Sequence, residues 1–419
     1  MSSTKFSSLQ DIVSNRLCTG CGACALLAPA HVQMKETADE NRRPQVASDL
    51  PQDLNKYLAQ SCPSVAERNT DVSSPVAQAW GPVLEIWEGY AADEEIRFKG
   101  SSGGAVTALS LAAMKSAGFA GTLHVKASLQ NPKLNEARIS SSRDELMEGA
   151  GSRYAPASVA DRLDLVADAD GECAIVGKPC DIAAVNAVGK LNADVAKNTG
   201  LTISIFCAGT PSHAGKDALL AHLGKPAEAE LMSLRYRGNG WPGDMTAVWT
   251  DGAGQQSAKT SYADGWGNIL QTHRQWRCMT CADHTGEVAD LSVGDPWQTP
   301  SKEGGHGKSL IVVRTERGRA MLQRAVAAGY LKLAPRSPEV LFDAQPNLVA
   351  TKGAVWGRRL MQRLSGRKAL PMRQDSFQAW LDLSLRAKAQ STLGTLKRII
   401  KRKLYRRKST VWMAAEDRI

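Results

Sequence analysis

The sequence has no long apolar run and no paired histidines. Across 419 residues, no window approaches 18 consecutive apolar residues, so a membrane-spanning helix is not expected. The opening residues also lack an apolar stretch of the length that a secretory signal needs. The seven histidines are scattered, and no Gly-x-x-x-x-Gly-Lys-Ser/Thr loop occurs. These absences favour a cytoplasmic protein and exclude ATPases that use this phosphate-binding loop.

Acidic residues are absent from residues 386–408, which carry ten Lys or Arg side chains. This excess equals the formal net charge of the whole chain, +10, so the rest of the chain is close to neutral. Nucleic-acid binding by the rest of the chain is therefore not indicated. The spacing of apolar residues among these cations predicts an amphipathic helix. Three interpretations are open: peripheral contact with the inner face of the cytoplasmic membrane, docking of an acidic electron donor, or a solvated tail. The apolar residues are Leu393, Leu396, Ile399, Ile400 and Leu404.

Cysteine spacing is the main functional signal. The chain has nine cysteines, and in a reducing compartment closely spaced cysteines bind metals or perform redox chemistry rather than form disulfides. Residues 18–24 read Cys-Thr-Gly-Cys-Gly-Ala-Cys, and a distant Cys-Pro follows at 62–63. Bacterial ferredoxins use this ligand pattern. We therefore predict a 4Fe–4S cluster on Cys18, Cys21, Cys24 and Cys62. Structural zinc, which prefers paired knuckles or histidines, and unligated thiols are the alternatives.

A second group of four cysteines lies further along the chain. Cys180 opens a predicted helix, where the helix dipole favours a thiolate. Cys207 follows a predicted strand, and Cys278 and Cys281 form a Cys-x-x-Cys knuckle. Four thiols are enough for a second cluster, although buried core thiols are the alternative. Cys173 lies within a predicted buried strand and is interpreted as a core thiol.

Apolar strands alternate with helical segments between residues 83 and 333. This pattern predicts an α/β core with at least partly parallel strands. A short helix is predicted within residues 6–17, and Asp71–Pro75 is typical of a linker. The predicted strands are Glu172–Val176, Leu201–Phe206, Leu291–Val293 and Leu310–Val313, and the predicted helices are Ala105–Ala117, Ile182–Leu191, His213–Leu223 and Gly318–Ala328.

Ordered motifs along residues 15–345 resemble the beta-subunit family of coenzyme F420 hydrogenases and dehydrogenases. The motifs are CTGCGAC at 18–24, FKGSSGGAVTAL at 98–109, GSRYAPA at 151–157, GKPCDIAAV at 177–185, FCAGTPS at 206–212, RGNGWPG at 237–243, CMTCADHTGEVADLSVGDPW at 278–297 and GKSLIVVRTERG at 307–318.

The resemblance implies an FAD-containing electron transferase with 4Fe–4S clusters, and it strengthens the prediction of a second cluster. Together with the residue pattern, it predicts three regions: a small ferredoxin-like 4Fe–4S module at residues 1–75, an α/β flavin-binding core with the second cluster at 76–345, and a basic helical tail at 346–419. The family also includes ferredoxin-dependent reductases of chlorophyll biosynthesis and bacterial members encoded near exopolysaccharide genes. The family name does not identify the reaction of this chain.

The resemblance also implies a flavin site. The segment Ser101, Ser102, Gly103 and Gly104 opens a helix and is expected to present backbone N–H groups and hydroxyls to the flavin or its phosphates. A plain helix cap is the alternative. Ser152, Arg153 and Tyr154 resemble the family's flavin-facing segment. In that interpretation, Arg153 balances the charge of the reduced flavin or its phosphates, and Tyr154 stacks on the flavin. The alternative is a salt-bridged surface Arg and a core Tyr. Lys178 is a further candidate for the flavin edge.

Three polar residues near the knuckle complete the candidate site. His284 is a candidate proton donor near the flavin. Asp283 and Asp295 are expected to accept backbone N–H bonds or to act as turn and cap residues.

The preferred hypothesis is an FAD-dependent iron–sulfur oxidoreductase. Electrons would pass from ferredoxin or a similar donor to an organic or lipid-linked substrate, with polysaccharide modification as the setting and a homo-oligomer as an open option. The alternatives are a non-catalytic electron-transfer subunit, a chlorophyllide-type or deazaflavin-dependent reductase, and a zinc-stabilised scaffold.

Overall fold

The computed structural model describes residues 6–38, 41–66, 73–302, 304–410 and 412. Its strands are β1 Val32–Glu36, β2 Arg42–Val46, β3 Glu85–Ala91, β4 Gly121–Ala127, β5 Asn135–Ser140, β6 Cys173–Gly177, β7 Thr199–Ile205, β8 Glu230–Arg235, β9 Met245–Asp251, β10 Gly254–Thr260, β11 Leu291–Gly294, β12 Ser309–Val313 and β13 Leu331–Arg336. Its α-helices are α1 Leu9–Ser14, α2 Ala23–Leu27, α3 Gln52–Gln60, α4 Pro75–Trp80, α5 Glu94–Lys99, α6 Ala105–Ser116, α7 Arg143–Glu148, α8 Asp164–Ala167, α9 Pro179–Gly189, α10 Ala193–Asn198, α11 His213–His222, α12 Trp276–Met279, α13 Glu316–Ala327, α14 Val340–Ala344, α15 Pro346–Leu364, α16 Gln374–Leu381 and α17 Leu385–Lys401. Ala160–Arg162 and Leu270–His273 are 3-10 turns, and Ala263–Ile269 is a π-helix.

An eight-stranded mixed sheet forms the centre of the fold. Its strand order is β13-β3-β12-β11-β7-β6-β4-β5. Strands β4, β6, β7 and β11 are mutually parallel in that spatial order, and the flanking pairings are antiparallel. The prediction of an α/β core with partly parallel strands is confirmed. Because β6, β7 and β11 run the same way, their carboxyl ends meet at one edge of the sheet.

All eight predicted elements of the core are present, with bounds shifted by at most three residues. The observed N-terminal helix, α1, spans Leu9–Ser14 and is shorter than the predicted range of residues 6–17. The Ser8 hydroxyl accepts a hydrogen bond from the backbone N–H of Asp11 and caps the helix start, and Arg16 adopts a φ of 61° just beyond its end. Of the predicted linker, Asp71 and Val72 lie outside the described residues, and Pro75 begins α4.

Helices cover both faces of the sheet. On one face, α6 and α13 share an apolar cluster with Leu201 and Ile203 of β7. On the other face, α9 packs against Leu123 and Ile175. Cys173 is fully buried in this second cluster, which confirms its interpretation as a core thiol.

Two smaller sheets flank the central one. Strands β1 and β2 form an antiparallel hairpin beside α1, α2 and α3. Strands β10, β9 and β8 form a second antiparallel sheet, which packs with α11 around Tyr236 and Met245. Arg237, which follows β8, and Tyr262 and Trp266, which follow β10, line the cleft at the edge where the parallel strands end.

The C-terminal helices are anchored to the core by a buried ionic network. The Lys352 ammonium lies 2.9 Å from a Glu287 carboxylate oxygen and 3.0 Å from one of Asp375, and Arg373 pairs with both carboxylates. Since paired buried charges are costly to separate, the network holds α15 and the start of α16 against the loop before β11.

The basic segment packs along the protein surface. Ile399 and Leu404 are 2% and 4% exposed and pack against Trp276 and Met279, whereas Leu393 and Ile400 are 65% and 60% exposed. Further on, the Lys408 N–H donates to the Ser14 carbonyl, and Trp412 pairs with Thr37. The predicted apolar stripe is therefore divided between an internal contact and solvent. Within the described residues, no helix is both long and apolar enough to cross a bilayer.

Candidate metal centres and cofactor cleft

The first four cysteines face one cavity. Cys18, Cys21, Cys24 and Cys62 line a largely apolar cavity with about 450 Å³ of empty space, adjoining solvent included. Gly20 and Gly22, with φ of 75° and 93°, permit the tight loop that carries the first three thiols. The cavity lies where α1, α2 and α3 meet.

The cysteine loop is fixed against the core. The Ala160 N–H donates to the Cys21 carbonyl over 2.9 Å, and the Ser158 hydroxyl donates to the Gly20 carbonyl over 2.6 Å. A side chain on Gly22 would come within 2.6 Å of Asp161, so the close approach requires glycine. The first cysteine group is thus packed directly on the central domain.

The chemistry of this donor set suits a cationic iron–sulfur core. Burial, reinforced by neighbouring thiols, raises the pKa of Cys21 to about 12 and that of Cys62 to about 11. Four thiols in one cavity can ionise together only if positive charge lies among them. The backbone N–H of Gly20 already donates to the Cys18 sulfur over 3.3 Å, as expected for a thiolate ligand.

The second four cysteines also converge. Burial, followed by the neighbouring Cys278 thiol, raises the pKa of Cys207 to about 12. The pKa of Cys180 is raised by burial and further by nearby anionic groups, including Cys207 and Cys278, and Cys281 in turn raises that of Cys278. The Thr210 N–H donates to the Cys278 sulfur over 3.3 Å. The structure therefore brings together Cys180, Cys207, Cys278 and Cys281, which were grouped in the sequence because four thiols are enough for one cluster.

The spread of the thiols is compatible with clusters. In the described part of the chain, no three His, Cys, Asp or Glu side chains are arranged to hold a single metal ion. A zinc site needs four ligands about 2.3 Å from one ion, whereas the ligands of a cubane bind four separate irons.

One arginine connects the two cysteine groups. Arg277, which is buried, donates two hydrogen bonds to the Ser64 carbonyl, at 3.2 and 2.9 Å. Its charge lowers the pKa of both Cys62 and Cys278, although burial remains the larger influence on each. A single guanidinium thus acts on both groups, which places them side by side.

A large cleft opens beside the second cysteine group. It contains about 1610 Å³ of empty space, open solvent included, and its floor is formed by the carboxyl ends of β6, β7 and β11. Cys207 lines the cleft directly. Seven of the eight predicted flavin residues also line it: Ser101, Ser102, Gly104, Ser152, Arg153, Tyr154 and Lys178. Segments that are distant in sequence therefore share one concave surface.

The serine-glycine segment forms the start of α6. Ser101 accepts a hydrogen bond from the Ser152 hydroxyl over 2.8 Å, which ties the two predicted flavin segments together. Gly104 caps the helix with a φ of 73°. Gly103 does not line the cleft, because its N–H donates to the Ser309 hydroxyl and its carbonyl accepts from Ala91. Gly103 thus joins the segment to the sheet, and the prediction that it faces the flavin is not supported.

Arg153 and Tyr154 contribute to the cleft wall in different ways. Three of the five guanidinium N–H groups of Arg153 donate to Asn135, Leu234 and Pro132. The side chain therefore mainly braces the wall. Tyr154 lines the cleft and packs against Trp266, with ring centroids 4.8 Å apart, so it contributes to an aromatic part of the wall.

Lys178 lies between the cleft and the second cysteine group. Its ammonium pairs with Asp181 over 2.6 Å. Burial opposes the charged form, but Asp181 and the thiols of Cys180 and Cys207 act against it and raise the pKa of Lys178. A permanent positive charge is therefore held where the two sites adjoin.

His284 does not occupy the predicted position. Its Nδ1 hydrogen-bonds the Cys207 carbonyl over 2.9 Å, and it is not among the residues that line the cleft. Burial lowers the pKa of His284 to about 4, so the ring is neutral at neutral pH. These observations do not support a proton donor at the flavin.

The two aspartates near the knuckle differ. Asp283 accepts backbone N–H bonds from Thr285, Gly286 and Glu287, which agrees with both predicted roles, ordering the loop after the knuckle and acting as a turn residue. Asp295 instead accepts from side chains, and the prediction of a backbone acceptor is wrong for it. Its carboxylate binds the guanidinium of Arg237 at 2.7 and 2.9 Å.

This Arg237–Asp295 pair was not recognised in the sequence. Arg237 lies under the aromatic wall, 4.8 Å from the Tyr262 ring centre and 5.7 Å from that of Trp297. Those two rings are stacked, with centroids 5.7 Å apart. For Arg237, the signal in the sequence was the motif RGNGWPG, because an arginine beside three glycines indicates a loop that approaches other backbone closely.

Two short glycine patterns are excluded as hydrolase or dinucleotide motifs by their setting. Residues 100–104 spell Gly-x-Ser-x-Gly, but the Ser102 hydroxyl bonds the Ser309 hydroxyl at 3.0 Å rather than a histidine. Residues 238–243 spell Gly-x-Gly-x-x-Gly, but they connect two strands, β8 and β9, instead of opening a helix.

Comparison with protein families gives two matches that divide the core between them. Residues 86–164 match the N-terminal domain of the coenzyme F420 hydrogenase/dehydrogenase beta subunit, and residues 170–339 match its C-terminal domain. Together the two matches cover more than half of the chain.

Individual relatives agree with these matches. The chain is 27% identical to the coenzyme F420 hydrogenase subunit beta of Methanococcus voltae over 251 residues, which are 58% of this chain and 81% of that subunit. It is 25% identical to the F420-dependent formate dehydrogenase 1 subunit beta of Methanococcus maripaludis over 260 residues, which are 61% of this chain and 63% of that subunit.

A solved structure has a similar fold. One chain of the F420-reducing [NiFe] hydrogenase complex from Methanosarcina barkeri aligns with a TM-score of 0.53 at 18% identity. The alignment covers 71% of the present chain and 98% of that chain. At this identity the likeness concerns the fold alone.

Proposed function

Because the chain belongs to the coenzyme F420 hydrogenase/dehydrogenase beta-subunit family, we propose that it is a flavo-iron–sulfur oxidoreductase. The observation that carries the proposal is the junction of the cofactor cleft with the second cysteine group. Cys207 and Lys178 line the cleft, and the Lys178 charge also acts on Cys180. When bound, 4Fe–4S clusters pass single electrons and FAD exchanges one or two.

The chain's own residues would hold these groups in sequence. Cys18, Cys21, Cys24 and Cys62 would bind the first cluster, and Cys180, Cys207, Cys278 and Cys281 the second. Arg277 lies between the two groups and offsets anionic charge on both. The Ser101 segment and the aromatic wall would orient the flavin, and the Lys178 ammonium would stabilise negative charge at the edge nearest the second cluster.

The electron donor and final acceptor are parts of the same proposal. We propose ferredoxin or a similar one-electron carrier as the donor and an organic molecule as the acceptor. The setting in polysaccharide biosynthesis rests on the family resemblance alone. The named relatives also favour a second candidate, an electron-transfer subunit of a larger complex whose acceptor is coenzyme F420, because both are beta subunits of F420-linked enzymes.

Anaerobic purification with iron, sulfide and flavin analysis tests the proposal. We expect about eight irons and one FAD per chain. A Cys18→Ser/Cys21→Ser variant should lose about four irons and keep the flavin. Cys173→Ser is the matched control, since this buried core thiol belongs to neither group, and its iron content should not change. A colourless, zinc-loaded protein would refute the proposal.

Turnover separates the two candidate functions. Oxidation of reduced ferredoxin with small organic acceptors, by the isolated chain, supports the enzyme. Reduction of the clusters without turnover of any acceptor other than coenzyme F420 supports the subunit of an F420-linked complex.

A further inference from the structure

Four arginines converge on the loops that carry Cys207 and Cys278. Arg274 donates to the Ala208 carbonyl over 2.8 Å, and Arg358 donates to the Met279 carbonyl over 2.8 Å. Both acceptors are chain neighbours of the cysteines. Arg398 and Arg402 belong to the C-terminal segment, and Arg402 reaches the Thr272 carbonyl over 3.0 Å. The four side chains also lie close enough to repel one another, so Arg274, Arg358, Arg398 and Arg402 form one cationic patch beside the second cysteine group.

The charge of this patch is not neutralised by carboxylates. Among ion pairs between described residues, none involves any of the four arginines, and the hydrogen bonds of all four go to carbonyls or a hydroxyl. Burial and mutual repulsion lower the pKa of Arg274, Arg358 and Arg398. The buried thiols act in the opposite direction on Arg274 alone. Arg402 is exposed and the other three are half-buried, so the patch is open to a partner.

The fold of the C-terminal segment creates this patch. Ile399 and Leu404 are buried against Trp276 and Met279, next to the Cys278 knuckle. This contact fixes the end of α17 so that Arg398 and Arg402 lie close to Arg274, whose own side chain contacts the neighbour of Cys207. The contact also buries part of the apolar stripe through which the helix would bind a lipid surface. Leu393 and Ile400 stay exposed on the same helix as Arg398.

From this arrangement we infer that the arginine patch is the docking surface for an acidic one-electron carrier protein, which would bind beside the second cysteine group. The inference rests on the proposed function, because it assumes clusters in the cysteine groups. An acidic face would complement the unneutralised guanidinium groups, steer association and bring its own redox centre close to Cys207 and Cys278. Leu393 and Ile400 would supply the apolar margin of the contact.

The test uses the full cluster-loaded chain and a purified acidic bacterial ferredoxin as the probe. Stopped-flow absorbance measures the rate of electron transfer from reduced ferredoxin at increasing NaCl concentration. We expect the wild-type rate to fall with salt, and Arg398→Glu/Arg402→Glu to be at least about tenfold slower at low salt. The neutral Arg398→Gln/Arg402→Gln variant should be intermediate. Lys190→Glu/Lys197→Glu makes the same charge change at exposed lysines elsewhere, and should match the wild type.

Reduction by dithionite and iron content show whether each variant is folded and loaded. If dithionite reduces every variant alike and the ferredoxin rates are also alike, the docking surface is refuted while the proposed function stands. Failure of ferredoxin to reduce a chain that dithionite reduces refutes both the docking surface and ferredoxin as the donor, while the clusters and flavin of the proposed function stand. A chain without iron refutes both. Binding of the wild type to phosphatidylglycerol vesicles, lost in Arg398→Glu/Arg402→Glu without any change in the ferredoxin rate, would assign the patch to a membrane instead.

Discussion

The Arg237–Asp295 pair gives the most direct test of how the cleft is held open. The Arg237 side chain is 3% exposed and that of Asp295 is 13% exposed, so both charges are largely desolvated. Asp295 accepts three hydrogen bonds, two from Arg237 and one from the Trp241 indole at 3.0 Å. In Asp295→Asn, Oδ1 keeps its two bonds, but an amide donor replaces the oxygen that faces Nη1.

Breaking one partner of a buried pair typically costs about 3–5 kcal/mol. Since two of the three hydrogen bonds survive, we expect Asp295→Asn to lower the free energy of unfolding by about 3 kcal/mol. Arg237 would also be released from beneath Tyr262 and Trp297, so flavin retention should fall together with stability. Chemical denaturation followed by tryptophan fluorescence, with flavin content measured after gel filtration, reports both quantities.

A double-mutant cycle provides the control. Replacing both residues, Arg237→Leu with Asp295→Leu, removes the unpaired charge and should cost much less than the sum of the single changes. Additive losses, or an Asp295→Asn variant within about 0.5 kcal/mol of the wild type, would show that the pair does not hold the wall.

Three further predictions concern the core, the pH dependence and the link between the cysteine groups. Gly286→Ala should destabilise the protein by about 3 kcal/mol or more in thermal denaturation, because its φ is 78° and the new Cβ would lie 2.2 Å from Ser204. Gly329→Ala, with the same φ and open space, should cost only about 1 kcal/mol. Burial lowers the pKa of His124 to about 4, so the unfolded chain binds a proton at this residue at a higher pH than the folded chain does. Between pH 6.5 and 4, the free energy of unfolding should therefore fall by about 3 kcal/mol more in the wild type than in His124→Gln. An equal fall in both proteins would contradict this prediction. If both cysteine groups hold clusters as proposed, Arg277→Gln should lower both midpoint potentials by on the order of tens of millivolts in an anaerobic EPR titration, whereas a shift in only one would disprove the bridging role.

The central sheet was predictable because its strands are buried on both faces. Parallel strands of this kind read as short apolar runs, and β7, which is parallel to both of its neighbours, is buried at its five central positions. The cysteine groups were predictable for a different reason. Cys18, Cys21 and Cys24 are local in sequence, while Cys180 and Cys207 follow parallel strands whose ends must meet.

The cleft wall was not predictable, because it depends on pairings between distant residues. Arg237 and Asp295 are 58 positions apart and come from a loop and a strand end, with no local pattern to connect them. His284 was misplaced for a similar reason. Its position near Cys281 in the sequence gave no indication that its ring would turn towards the Cys207 carbonyl and away from the cleft.

The course of the C-terminal segment has a consequence for biosynthesis. Lys368 pairs with Asp11, and the Lys408 N–H donates to the Ser14 carbonyl, so α1 makes contacts with residues that are translated much later than α1 itself. The ribosome releases the first cysteine loop long before these contacts form, and closing so long a loop is slow. Leu370, which packs in the same apolar cluster as Cys18, is also missing during that interval. If the first cysteine group binds a cluster as proposed, translation order would set the period in which that cluster is inserted before the site is closed.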